Sequence, residues 1–250
     1  MWTRSSDGLV LTFRLAGINN QNFLMRDDQT GSYWQQITGA AVSGLLAGRH
    51  LTLVPSDELS FGLWAAEEPG GTVLKNVNKY AKNYEKKDWE VTILKEPTVL
   101  SFADPSKGLQ ARSLMLGVRA FGASRAFPYD AVVKEKLVMD QVGSEPVVLI
   151  VGADGQSVRV FRDRIPGVNG ASPFYRTLDD AQSHLKDPSW LKEVADKPLM
   201  MDEATSSQWN FEGCAVSGKV TGSCLEQVYV IKDFWFDWRN YNPTTTIYTH

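Results

Sequence analysis

Two cysteines, a recurring pair of acidic residues and a set of spaced aromatics are the parts of this chain whose types could do chemistry. Cys214 and Cys224 sit symmetrically about Lys219. If residues 218–222 form the intervening loop, the two face each other across a hairpin, where a disulfide can close. Two small buried thiols are the other reading. Asp27 and Asp28 precede a tryptophan, as do Asp202 and Glu203. Paired carboxylates can hold a cation or move a proton, but a pair kept in two places more often serves a shared turn or cap. Ser43 and Ser217 each lie in an Ala-Val-Ser-Gly run. A nucleophilic serine needs a base and an oxyanion hole. The run is not Gly-x-Ser-x-Gly, so turn serines are expected. His50, His184 and His250 are isolated, and no Cys/His spacing fits a zinc motif. No metal, cofactor or catalytic residue is therefore assigned. If a cleft lies between related halves of the chain, Arg26, Trp34, Tyr80 and Tyr84 are the ligand-binding candidates.

The elements that must position these groups are repeated. Gly39-Ala-Ala-Val-Ser-Gly44 aligns with Gly213-Cys-Ala-Val-Ser-Gly218 at an offset of 174 (213 − 39). Holding that offset pairs Gly48 with Gly222, Leu51 with Leu225, Val54 with Val228, Trp64 with Trp238, Pro69 with Pro243 and Thr72 with Thr246. Upstream, an offset of 175 pairs Leu24, Met25, Asp27, Thr30, Ser32 and Trp34 with Leu199, Met200, Asp202, Thr205, Ser207 and Trp209. The repeat spans about 24–74 and 199–248. Each copy reads as strand, hairpin, strand, helix, strand. In the first copy Ser56-Asp57 is the candidate helix cap, Phe61 and Trp64 share a helix face, and Pro69 ends the helix. A tryptophan at repeat-equivalent positions is expected to be a core anchor rather than a sugar-stacking platform.

Between the copies, residues 116–162 read as strands. A hairpin is expected around Gly122, a short helix over 129–136, and a buried strand over 147–151. Residues 179–185 and 190–195 are short helical candidates. The domain expectation is a first half over 1–75, a polar connector over 76–115 and a second half over 116–250, forming one unit. The fold class is α+β, predominantly β, with short helices.

Composition sets the outer limits. A chain of 250 residues with 43% hydrophobic and 22% charged residues can bury a core. A net charge of −3 gives no basic stripe for nucleic acid. Lys79, Lys82, Lys86 and Lys87 cluster with Tyr80 and Tyr84, but Glu85, Asp88 and Glu90 make the face mixed. No apolar run reaches the roughly 18 residues of a membrane span, and residues 1–7 carry no apolar signal core.

The run Asp28-Gln-Thr-Gly-Ser-Tyr-Trp34, then Thr38-Gly39-Ala-Ala-Val-Ser-Gly44 and Gly48, resembles the bacterial domain of unknown function 3179. So do Leu74 through Tyr84, Gly117-Val118, Arg125-Ala-Phe-Pro128, residues 138–143 and Pro146-Val147-Val148. The resemblance implies a periplasmic or exported protein and no established biochemical activity. It also implies a Cys-x-Leu-Cys-Gly loop, sometimes bearing selenocysteine, that would lie just before Met1. The corresponding second-half loop, Val151-Gly-Ala-Asp-Gly155, has no cysteine. A shortened variant, or a start placed after an in-frame UGA codon, would each account for this; the shortened variant would leave a sheet edge of the first copy open, which favours the misplaced start.

Two functions are expected on this basis. The first is a non-enzymatic or catalytically silent extracytoplasmic protein that binds a small ligand or a protein partner. The second is the scaffold of a thiol- or selenol-dependent redox or metal protein whose reactive loop lies upstream of Met1.

Overall fold

In the computed structural model the described residues are 1–19, 22–84, 95, 108–177 and 197–249. The helical candidates at 179–185 and 190–195, and most of the polar connector, lie outside them. Among the described residues the fold is mostly β, with three seven-residue α-helices: α1 (Phe61–Glu67), α2 (Tyr129–Glu135) and α3 (Trp235–Tyr241). The β-rich class with short helices follows the sequence patterning.

The chain divides into two units. The first comprises Met1–Ser56, Thr98–Met115 and Asp233–Thr245; the second comprises Asp57–Pro97, Leu116–Lys232 and Thr246–His250. The helix of the first repeat, α1, therefore belongs to the second unit, and the helix of the second repeat, α3, belongs to the first. Leu63 of α1 is buried in one cluster with Trp209, Phe211 and Ile150 of the second unit.

The first unit opens with a small hairpin, β1 (Ser5–Ser6) and β2 (Leu9–Val10), whose turn residues Asp7 and Gly8 both have positive φ. A four-stranded antiparallel sheet follows in chain order: β3 (Phe13–Asn19), β4 (Asn22–Asp27), β5 (Tyr33–Gln35) and β6 (Ala41–Ser43). Its core is Leu11, Trp34, Ala41, Leu46 and Leu51.

The remaining strands build three four-stranded sheets. One has the order β17 (Val230–Phe234), β7 (Leu114–Ala120), β8 (Ala123–Pro128), β18 (Thr246–Ile247), with β8 and β18 parallel. A second has the order β16 (Gln227–Val228), β11 (Val158–Arg162), β10 (Glu145–Val151), β9 (Leu137–Val142). The third runs in chain order through β12 (Phe174–Arg176), β13 (Met200–Asp202), β14 (Gln208–Trp209) and β15 (Ala215–Ser217). The unbroken apolar run of β10 has a physical reason. Val148 and Ile150 enter one core, while Val147, Leu149 and Val151 enter another. A strand buried on both faces cannot alternate apolar with polar residues.

Local signals place the turns well and one helix start less well. The β7–β8 hairpin turns through Phe121 and Gly122, both at positive φ, as a two-residue primed turn requires. Helix α1 is capped by Ser60, whose Oγ accepts from the Leu63 N–H at 3.2 Å, and not by Ser56-Asp57. Asp57 is drawn away instead into an ion pair with Arg159 of β11. A long-range charge partner outcompetes a local cap worth about 1 kcal/mol.

Candidate functional site

The sequence-derived ligand candidates fall in different units. Arg26 and Trp34 lie on β4 and β5 of the first, and Tyr80 and Tyr84 lie in or beside a 3₁₀ helix (Asn78–Asn83) of the second. Arg26 is exposed. Trp34 is fully buried and offers a ligand no surface. The Tyr80 ring carries the Lys79 ammonium at 4.7 Å, and the Tyr84 hydroxyl accepts from the Val77 N–H at 2.9 Å.

The recurring acidic residues have a structural role in both copies. The Asp27 carboxylate accepts from the Thr30 N–H and hydroxyl, the Ser32 N–H and the Trp34 Nε1–H. Asp202 accepts from Thr205, Ser207 and Trp209 in the same pattern, and each indole bond is 2.9 Å. Burial works to raise the Asp27 pKa, but these hydrogen bonds outweigh it and hold the carboxyl below its ordinary value. Each aspartate thus closes a tight turn and anchors a fully buried tryptophan.

Cys214 and Cys224 are joined as a disulfide across an isolated antiparallel bridge. Ala40 and His50 form the matching bridge in the first copy, so the turn does not depend on sulfur chemistry. Ser217 is not a turn residue but the last residue of β15, and its hydroxyl donates across the strand pair to Gln208 of β14 at 2.8 Å.

A concave site lies elsewhere among the described residues. In the second unit a cavity of about 640 Å³ is lined by Asp57, Leu59, Phe61, Trp64, Glu67, Glu68, Thr72, Val73, Arg159 and Glu212. Arg159 forms its floor. It projects from β11, between Val158 and Val160, both buried. An arginine in such a strand has to be paired, because its charge cannot be left desolvated alone. Its Nε donates to Asp57 at 2.8 Å, and its Nη1 and Nη2 donate to the two oxygens of Glu67 at 2.9 Å each. Beneath, the guanidinium lies 4.5 Å from the Phe211 ring centroid. Asp57 is held in turn by Gln227 Nε2.

Helix α1 supplies the wall. Its spacing puts Phe61, Trp64 and Glu67 on one face, three residues apart, while Leu63 turns into the core. The Phe61 and Trp64 rings lie 5.6 Å apart, tilted by 39°. Phe61 is 68% exposed. After the helix the chain folds back over Trp64, so closely that a Cβ at Gly71 would clash with the indole.

Electrostatically the floor is tightly coupled. Burial works to lower the Arg159 pKa, but Glu67 and Asp57 outweigh it and raise it. Burial pushes the Glu67 carboxyl up, against the pull of Arg159 and with the help of Glu212 and Asp57. Among the described residues no group of three His, Cys, Asp or Glu side chains could hold a metal ion, and no helix is long and apolar enough to cross a membrane.

Sequence reading missed Arg159, Asp57 and Glu67 as a set because Arg159 lies 102 residues from Asp57 and 92 from Glu67 along the chain. One signal was present: a lone arginine inside the apolar run Val158-Arg159-Val160-Phe161 demands a carboxylate partner. Nothing local says which carboxylate.

No curated protein and no solved structure matches the chain. A family model does match, over residues 1–245. On that match the chain belongs to the DUF3179 family, proteins of unknown function.

Proposed function

We propose that this protein is a non-catalytic, extracytoplasmic ligand-binding protein, with the Arg159 cavity of the second unit as its binding site. The observation that carries the reading is the fixed floor beneath an open aromatic wall. Asp57 and Glu67, the carboxylates nearest the guanidinium, are committed to it. Groups locked in an ion-paired network hold a shape, whereas proton transfer needs a group free to change its charge. The wall above them keeps Phe61 in water at a cost that a bound ligand would offset. The cavity volume falls within the range of small-molecule sites.

The disulfide supports the compartment. Such bonds persist in oxidising surroundings and are rare in a reducing cytosol.

The test is amide chemical-shift mapping on the full chain with a fragment set of cationic, anionic and neutral members. Shifts gathered on residues 57–73, 159 and 212 are expected for at least one member. Shifts confined to other parts of the chain, or absent altogether, would overturn the site.

A further inference from the structure

We infer that the ligand of this cavity is a linear aliphatic polyamine; this rests on the binding-site reading above. Four carboxylates line the cavity (Asp57, Glu67, Glu68 and Glu212) against one guanidinium, a formal balance of −3. Arg159 is already committed to two of them, so it offers an incoming anion little. Glu68 and Glu212 are exposed and make no ion pair among the described residues. Both stand at the rim, where charge raises the local concentration of an oppositely charged ligand.

The wall selects among cations. A quaternary ammonium is held by aromatic faces alone. Here two rings share the lining with Glu68 and Glu212, carboxylates not taken up by Arg159 and able to accept N–H donors. A primary or secondary ammonium satisfies both, with its hydrogens to oxygen and its positive charge over the Phe61 and Trp64 faces. Leu59, Phe61 and Val73 give the lining apolar surface between the charges. Methylene spacers fit such surface. A hydrated metal ion would use none of the aromatic wall.

The experiment is calorimetric titration and amide chemical-shift mapping of the full oxidised chain with spermidine, with 1,8-octanediol as the neutral chain of comparable length and citrate as the anion. Phe61→Ala and Glu212→Gln alter exposed side chains, and circular dichroism checks that both variants fold. Spermidine is expected to bind at low ionic strength and to weaken at about 0.3 M salt, where charges a few ångströms apart begin to be screened. Phe61→Ala should weaken it roughly two- to fivefold, and Glu212→Gln on the order of fivefold. Spermidine binding unchanged in both variants would overturn the inference. If octanediol or citrate shifts the amides of 57–73 while spermidine does not, the site stands and the polyamine class is wrong. If no probe of any charge shifts them, both readings are wrong.

Discussion

Leu63 and Asp237 occupy the same position of the two repeats, 174 residues apart (237 − 63), and both are buried. Leu63 closes an apolar core, with Phe211 beside it. Asp237 brings a carboxyl to the matching place on α3. Asn22 Nδ2 donates to its Oδ2 at 3.1 Å, and its Oδ1 has no partner among the described residues. Burial holds this carboxyl above its ordinary value of 3.8, with only the Asn22 bond pulling it down.

A pH dependence of stability follows. For a carboxyl whose folded-state pKa lies above the unfolded one, the stabilisation is fully present below the unfolded value and is lost as pH rises through the folded value. Raising the pH from about 3.8 upward should therefore weaken the first unit through Asp237. Asp237→Asn removes that component, so the variant should gain on the native chain as pH rises. Urea unfolding across the range measures it, and a difference independent of pH would refute the assignment.

The Asp202 turn should be among the costliest single sites. Removing its carboxylate in Asp202→Ala strands the Trp209 indole N–H and the Ser207 and Thr205 donors in a buried place. Each unsatisfied buried donor costs about 1–3 kcal/mol, so a loss of about 3 kcal/mol or more is expected. Asp28→Ala breaks the exposed pair with Arg14 and should cost far less. Denaturant midpoints compare the two.

Arg159→Met leaves Glu67 and Asp57 facing each other with no counter-charge. Breaking a buried pair from one side costs about 3–5 kcal/mol. Substituting Glu67 by Met as well removes one of the stranded charges and should recover part of that loss. A double-mutant cycle by thermal or urea unfolding reads the coupling; strict additivity would show that the ion pair does not set the floor.

The disulfide closes a short loop, with 10 residues of sequence separation. Chain entropy puts its contribution at about 2.5 kcal/mol. The Cys214→Ala, Cys224→Ala variant should lose about that much and still fold, because Ala40 and His50 make the matching bridge without a bond. Alkylation of the native chain without reductant should label neither cysteine.

Much of the β framework is legible in the sequence, and the site is not. The run over 147–151 announces a doubly buried strand by its lack of alternation, and Trp34 and Trp209 announce anchors by recurring with the same Asp, Thr and Ser around them. These signals are local, or come from comparing two copies within one chain. The cavity depends on contacts of another kind. Asp57 and Glu67 meet Arg159 only once α1 has joined the second unit, and no spacing or propensity encodes that meeting. The same contact explains why Ser60, not Ser56, starts the helix. Tyr80 and Tyr84 are conspicuous in sequence because they are aromatic among lysines, yet the Tyr84 hydroxyl serves the Val77 backbone.

The crossing of α1 and α3 between units bears on how this protein can be taken apart. Each unit is assembled from three separate stretches of chain, so no single cut of the backbone releases either one whole. A fragment ending before β7 carries α1 but not the core that buries Leu63. The complementary fragment carries α3 without the strands whose Asn22 meets Asp237. Fragments made separately would have to find each other in solution, and mixing them to regain the fold, rather than trimming the chain, is the way to ask what either part does.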